Sequence, residues 1–201
     1  MLKRRFTAML IAANDPAHGD LTHWAFCPGM RFNETAKWWG DFGRRDLPHE
    51  GIDLCLYKTT AGGIGRLNAR TRIPVMHDGV VRAMFKDFLG WAIAIEHPTD
   101  STGDVPLLSF YAHTVPRANL RVGDVVGTGD LIGTIADTRQ AKARILPHLH
   151  LTLGRMISPL DFRDFAWNHI HDSQKVALLD PLPILDRPHT LLDTAQALSC
   201  L

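Results

Sequence analysis

Histidine and aspartate stand at spacings that suit metal chemistry in two separate parts of the chain, His49-Glu-Gly-Ile-Asp53 and His148-Leu-His150. Imidazole nitrogens and carboxylate oxygens bind zinc, and a neutral imidazole can also accept a proton near pH 7. Each motif alone is weak evidence, because 11 of the 201 residues are histidine and about one H-x-H is expected by chance. His169-Ile-His171 is a second H-x-H, in a context that suggests no chemistry.

The second motif opens a segment in which polar and apolar residues alternate strictly, from His148 to Leu153. This period of two predicts a half-buried strand with its leucines toward a core and His148, His150 and Thr152 on the opposite face. One imidazole could then bind a metal while its neighbour reaches a metal-bound water or a substrate oxygen. The alternative is a pair of exposed strand histidines.

His49 and Asp53 need a bend between them if they are to share one ion. Positions four apart in a straight strand are separated by about 13 Å, and the run from Ile52 to Tyr57 favours a strand. A bend at Glu50-Gly51 would bring His49 back to Asp53 at the strand entrance. Two imidazoles and one carboxylate are a known set for catalytic zinc, with the fourth position open for water. The alternative for His49 is a solvated turn residue after Pro48.

A third histidine, His113, ends the apolar run that begins at Leu107. A histidine in such a strand is more often a satisfied core or edge residue than a catalyst. Near a metal, however, a neutral imidazole can take the proton of the attacking water or stabilise an oxyanion.

With these residues in place, the chain resembles the M23 zinc metallopeptidases, the lysostaphin-type or LytM-like cell-wall endopeptidases. The resemblance covers roughly residues 41 to 162 and rests on a conjunction of motifs in the family's order. The matching segments are Asp41–Arg44, His49–Asp53, Ile73–Val75, Asp78–Val81, Ile93–His97, Tyr111–His113, Val122–Asp124, Gly129–Gly133, His148–His150 and Ser158–Asp161.

The resemblance implies one Zn²⁺ per chain, with His49, Asp53 and His150 as ligands, and His113 and His148 as the pair that acts on the water and on the tetrahedral intermediate. It also implies hydrolysis of peptide bonds in peptidoglycan stem peptides or cross-links. Two alternatives stay open: a non-catalytic LytM-like module that binds cell wall or activates a hydrolase, and a zinc peptidase of the same fold acting on a protein. Lost ligands usually mark the non-catalytic members, and here all five positions are filled.

Two segments depart from the family pattern. Thr134 to Pro147 is longer and more basic than the usual glycine-rich loop and contains no glycine, so we expect it to narrow or roof the substrate cleft. Leu151-Thr152 stands where the family often has Phe-Glu, which affects a supporting contact but no ligand. The N-terminal preamble could also cover the site, with Asn33 or Cys27 as a fourth zinc ligand; the alternative is an ordinary surface or core role for both residues.

Many short alternating strands separated by Gly, Pro and Asp turns predict a mainly β fold, an antiparallel β-sandwich with short helices at the N-terminus and the C-terminus. We expect an N-terminal preamble over 1–40, a peptidase-like β domain over 41–162 and a C-terminal helical extension over 163–201. The expected helices are Asn33–Trp39, Pro159–Ile170 and Thr190–Leu198.

Composition excludes some classes of partner. A formal net charge of +1 gives no electrostatic footprint for nucleic acid, and no segment is long enough to span a membrane as a helix. The three cysteines are odd in number and predict no disulfide framework. The apolar run Phe6 to Ala13 after Lys3-Arg-Arg5 is either a short signal peptide or a retained ordered segment such as a strand. A peptidoglycan substrate requires a periplasmic or extracellular location.

Overall fold

A computed structural model describes residues 5–98, 105–139 and 145–201. Within these ranges the chain is mostly β, with three α-helices and one 3₁₀ turn. The elements are α1 (Phe6–Asn14), β1 (Leu21–Phe26), β2 (Ile52–Leu54), β3 (Leu56–Thr59), β4 (Ile64–Arg66), β5 (Arg72–Pro74), β6 (Gly79–Lys86), β7 (Trp91–His97), β8 (Leu107–Pro116), β9 (Val125–Val126), β10 (Leu131–Ile135), β11 (Leu149–Met156), α2 (Trp167–Ile170), β12 (Val176–Leu179), a 3₁₀ turn (Leu182–Ile184), β13 (His189–Leu191) and α3 (Thr194–Cys200).

The strands form two sheets with one main core. The smaller sheet has the order β13-β1-β3-β4, and the larger has the order β12-β11-β8-β7-β6-β9, with β2, β5 and β10 paired beside it. Side chains of both sheets, such as Trp24 and Leu56 from one and Ile93 and Leu151 from the other, belong to the same buried cluster. The predicted mainly β, antiparallel fold is confirmed, apart from the parallel pairing of β1 with β13.

The alternation in β11 has the predicted direction, because Leu149, Leu151 and Leu153 all lie in the main core. The opposite face is not half-exposed, however, since His150 and Thr152 are also buried. Chain beyond β11 covers this second face, where Phe165 stacks on Phe110 with ring centroids 5.8 Å apart. The histidine face of the sheet therefore lies inside the protein.

The N-terminal apolar run forms a helix, α1, and the expectation of a strand there is wrong. Alanine, methionine and leucine favour a helix, and Phe6 and Leu10, one turn apart, are both fully buried. Trp24 Nε1 donates to Thr7 Oγ1 at 2.9 Å. The Asn14 side chain bonds both the N–H and the carbonyl of Arg72, so α1 is part of the folded unit that also contains β5.

The helix expected over Asn33–Trp39 does not form. Asn33 has a φ of 65°, and the Glu34 carboxylate accepts from the backbone N–H groups of Gly29 and Arg31. Such local side-chain bonds offer the backbone an alternative to a helix. The segment is a series of turns with one bridge between Ala36 and Arg44.

The two C-terminal helices have different bounds from those expected. Only Trp167–Ile170 of the Pro159–Ile170 prediction is helical, because Ser158 Oγ donates to the Gln174 carbonyl instead of capping a helix. The last helix is Thr194–Cys200 rather than Thr190–Leu198, since Asp193 and Gln196 form a reciprocal cap at its start. Among the described residues, no helix is long and apolar enough to cross a membrane.

Candidate metal centre and active site

The bend expected between His49 and Asp53 is present. β2 begins at Ile52, directly after Gly51, and pairs with β11 so that Asp53 lies opposite His150. A Cβ on Gly51 would lie 2.6 Å from Thr152 Oγ1 and closer still to the Leu151 carbonyl oxygen. Glycine is therefore required for β2 to approach β11 at this point.

Three buried donor atoms converge where the two motifs meet. Asp53 Oδ1 lies 2.8 Å from His150 Nδ1 and 3.3 Å from His49 Nε2. The two imidazole nitrogens are 3.1 Å apart. His49 is 1% exposed and His150 is 4% exposed, so the alternatives of a solvated turn histidine and exposed strand histidines are both wrong. These three residues form a group that could hold a metal ion.

The outer nitrogens of both rings already have hydrogen-bond partners. His49 Nδ1 faces the Arg31 carbonyl oxygen at 3.1 Å, and His150 Nε2 faces Thr152 Oγ1 at 2.8 Å. The carbonyl oxygen can only accept, so His49 Nδ1 carries the proton and Nε2 presents a lone pair. The Thr152 hydroxyl can either donate to His150 Nε2 or accept from it. When it accepts, Nδ1 of a neutral His150 ring carries no proton. Such outer bonds typically orient histidines that bind metals.

The second oxygen of Asp53 is held by residues of the N-terminal turns. Trp38 Nε1 donates to Oδ2 at 2.6 Å, and Arg45 Nη2 lies 3.6 Å from the same atom. Burial alone would raise the pKa of Asp53, but His49, His148 and His150 hold this pKa well below its usual value. Asp53 is therefore a carboxylate that offers Oδ1 to the two histidines.

His148 lies at the edge of this group with its ring against two aromatic neighbours. Its Nε2 is 3.7 Å from Asp53 Oδ1, and its Nδ1 donates to the Leu146 carbonyl at 2.7 Å. The ring centroid lies 5.0 Å from that of Trp38 and 4.8 Å from that of His113. Burial lowers the pKa of His148 to about 3, although Asp53 opposes the shift. The ring is therefore neutral at pH 7, with Nε2 as an acceptor.

His113 completes the cluster from β8, with its ring centroid 5.7 Å from that of His150. Its backbone has a φ of 59°, a left-handed conformation that a residue with a side chain seldom adopts. The structure therefore brings all five predicted site residues together. His97, by contrast, lies at the far end of β7, where its ring bonds the Asp78 carbonyl and Ser109 Oγ.

A cavity of about 250 Å³ opens onto the cluster. Its walls are Trp39, Arg45, Glu50, Asp53, Phe88, His113, Ile145, His148, His150 and Trp167. Ile145 is the contribution of the loop expected to narrow the cleft, and residues 140–144 of that loop lie outside the described residues. Neither Asn33 nor Cys27 lines the cavity, and Cys27 is instead buried in the main core.

Sequence reasoning missed several residues that shape the site. Trp38 was expected only as part of a helix, and Arg45, Asp87 and Trp167 were not singled out as site residues. Trp167 belongs to α2 and lies with its ring centroid 5.6 Å from that of His150. The two adjacent tryptophans at 38 and 39 were the visible signal, because large aromatic side chains bury much surface when they pack.

Comparison with known proteins places the chain in a family. The sequence profile of Peptidase family M23 matches residues 48–162, more than half of the chain. The chain therefore belongs to peptidase family M23. No curated protein matches it.

Solved structures that match the chain are distant in sequence. The NMR solution structure of lysostaphin is 20% identical, with a TM-score of 0.43, over 83% of this chain and 54% of that one. A putative glycyl-glycine endopeptidase lytM from Ruminococcus gnavus is 20% identical, with a TM-score of 0.44, over 87% and 65%. A mutant catalytic domain of the prophage-encoded M23 protein EnpA from Enterococcus faecalis is 21% identical, with a TM-score of 0.37, over 62% and 81%. This chain thus spans about half the length of the lysostaphin structure.

Proposed function

We propose that this M23 peptidase is a zinc endopeptidase that hydrolyses peptide bonds in peptidoglycan stem peptides or cross-links, outside the cytoplasm. The observation that carries the proposal is the convergence of His49 Nε2, Asp53 Oδ1 and His150 Nδ1 within 3.3 Å of one another. The family match supports the reaction class. The motif resemblance supports the substrate class.

The three donors suit zinc in chemistry and in spacing. Zinc binds histidine nitrogen and carboxylate oxygen at about 2.0–2.2 Å with tetrahedral geometry, which places ligand atoms about 3.3 Å apart. The observed separations of 2.8 to 3.3 Å are close to this value. With His49 Nδ1 bonded to the Arg31 carbonyl oxygen, the His49 Nε2 lone pair faces Asp53 Oδ1 and His150 Nδ1, and a cation or a proton between these atoms relieves the repulsion.

In the proposed reaction, zinc bound by His49, Asp53 and His150 would polarise the scissile carbonyl and lower the pKa of a water to about 7. His113 and His148 act on the proton of that water and on the oxyanion. His148 can accept a proton only at Nε2, because its Nδ1 donates to Leu146. Trp38 and Arg45 hold Asp53 Oδ2, so Asp53 presents a single oxygen to the site. Burial of Asp53, His113 and His148 strengthens their electrostatic interactions.

Digestion of purified sacculi tests this function. The zinc-loaded protein is incubated with sacculi, and the released muropeptides are analysed by mass spectrometry. We expect fragments in which one peptide bond has gained a water, and no such fragments with His150→Ala. Parallel incubations contain elastin-like and glycine-rich peptides. Cleavage of a protein-like peptide without release from sacculi would contradict the peptidoglycan assignment, and sacculus binding without cleavage of any substrate would indicate a non-catalytic module.

A further inference from the structure

The hairpin between β6 and β7 carries a buried carboxylate that the proposed reaction has not yet used. Asp87 is the first residue after β6, in the four-residue turn that ends at Gly90. Its side chain has no exposed surface, and the His113 side chain beside it is 7% exposed. A buried carboxylate is costly unless its oxygens are bonded, so its partners show what it does.

The two carboxylate oxygens of Asp87 accept hydrogen bonds from different parts of the chain. Oδ1 accepts from the backbone N–H groups of Leu89 at 2.8 Å and Gly90 at 2.5 Å, which closes the turn. Oδ2 accepts from the backbone N–H of His113 at 2.8 Å and faces His113 Nδ1 at 3.1 Å. One side chain therefore links the hairpin tip to both the backbone and the ring of His113.

These bonds fix the state of the His113 ring. Burial alone would raise the pKa of Asp87, but the His113 ring and the backbone N–H groups lower it to about 2. An ionised carboxylate can only accept, so His113 Nδ1 carries a proton, which leaves Nε2 as the nitrogen that can accept one.

The same bonds hold His113 in its unusual backbone conformation. A φ of 59° costs free energy for a residue with a side chain and persists only where surrounding contacts enforce it. Asp87 bonds the His113 N–H, and Phe88 lies edge-on to its ring at a centroid distance of 5.1 Å. A Cβ on Gly90 would lie 2.7 Å from the Thr114 carbonyl oxygen. The hairpin tip thus packs closely on the chain at His113.

We propose that Asp87 is a positioning residue that holds His113 with Nε2 toward the site and makes His113 the proton acceptor of the proposed hydrolysis. The proposal rests on the proposed function. The water proton passes to His113 Nε2 as the water oxygen bonds to the scissile carbonyl carbon. Asp87 stays ionised and stabilises the imidazolium through Nδ1–H. When the C–N bond breaks, the same proton passes to the leaving amine, so the ring returns to neutral.

An asparagine cannot replace Asp87 in this arrangement. All four donors point at carboxylate oxygens, two at each. An amide has one oxygen and one NH₂ group, so either the turn or His113 would meet a donor in place of an acceptor. If the amide oxygen closes the turn, its NH₂ faces His113 Nδ1 and favours the tautomer with the proton on Nε2.

The test compares the full chain, loaded with zinc, with its Asp87→Asn and Asp87→Glu variants. Ring nitrogen shifts of His113 by NMR report its tautomer, and zinc content, kcat and KM are measured on the same samples. For Asp87→Asn we expect unchanged zinc content and KM, an altered tautomer and a kcat lower by about 10–100-fold, as for other carboxylates that orient histidines. Asp87→Glu, which keeps the acceptor, should recover part of kcat and the Nδ1–H tautomer.

Asp130→Asn is the matched control, because Asp130 also closes a turn, accepting from the Gly127 N–H at 2.8 Å, but does not line the cavity. Wild-type tautomer and kcat in Asp87→Asn would overturn the proposal, as would an equal loss of kcat in Asp130→Asn. If Asp87→Asn does not fold, Asp87→Glu decides: a variant that has the wild-type Nδ1–H tautomer of His113 and normal zinc content but no measurable kcat contradicts the role. If the wild type cleaves nothing, the function fails, while the tautomer still tests the Asp87–His113 link.

Discussion

The chain contains the H-x-H pattern twice, and the two copies lie in different structural environments. His148-Leu-His150 lies at the start of a strand, where residues two apart share one face, and both rings are buried against Asp53. His169-Ile-His171 lies at the end of α2, and positions two apart on a helix point in different directions. His171 is exposed, and His169 Nδ1 accepts from the Ala166 N–H. The pattern becomes a site only where a strand aligns the rings and a neighbouring strand supplies a carboxylate.

We expect the largest difference in zinc content and hydrolysis between substitutions of the last histidine of each copy, His150 and His171. His150→Ala removes a donor atom that lies 2.8 Å from Asp53 Oδ1, so the purified variant should contain no zinc and show no hydrolysis above background. His171→Ala should keep both. Elemental analysis and a muropeptide assay check this pair. Equal zinc content in the two variants would mean that His150 is not a ligand.

Between substitutions of the first histidine of each copy, His148 and His169, we expect a smaller difference, in kcat alone. His148→Ala should keep zinc but lower kcat by about 10²–10⁴-fold, the usual contribution of a group that acts on protons or charge in the transition state. His169→Gln should leave kcat unchanged, since its ring lies outside the cavity. A zinc-free His148→Ala protein would reverse the roles of the two strand histidines.

The smallest expected effect is a change in KM on substitution of Trp167, in the helix that carries the second copy. α2 contributes to the site through Trp167, which lines the cavity, rather than through its histidines. Trp167→Leu should raise KM several-fold with little change in kcat, because the loss of a contact made equally in ground and transition states changes binding alone. Trp91→Leu, outside the cavity, is the control. A lower kcat at unchanged KM would show that Trp167 acts on the reaction step instead.

The sequence predicted the structure correctly where the structure depends on a local pattern of residues. The meeting of His49, Asp53 and His150 was implied by the resemblance to the M23 family, whereas the alternation after His148 and the glycine before Ile52 predicted the strand and the bend. These features depend on residues near one another in the chain, because a period of two and a tight bend are local properties. His150 joins His49 and Asp53 because β11 pairs with β2, a contact between segments that are distant in the chain.

The rest depends on contacts between distant segments. Asp87 lies in an ordinary turn, and only the pairing of β7 with β8 brings it to His113. Trp38 was expected in a helix, but the turns that replace the helix direct its indole N–H to Asp53. α1 has the composition of a signal peptide, and its burial in the core appears only in three dimensions. The sequence of an apolar run or a turn does not indicate which distant segment it will contact in the folded protein.

Diffraction from crystals of the zinc-loaded protein, collected on both sides of the zinc absorption edge, tests the metal site most directly. We predict one anomalous peak at about 2.0–2.2 Å from His49 Nε2, Asp53 Oδ1 and His150 Nδ1, with no ligand bond from His113 or His148. A peak bound by His148 in place of His150, or zinc only at other residues, would contradict the account.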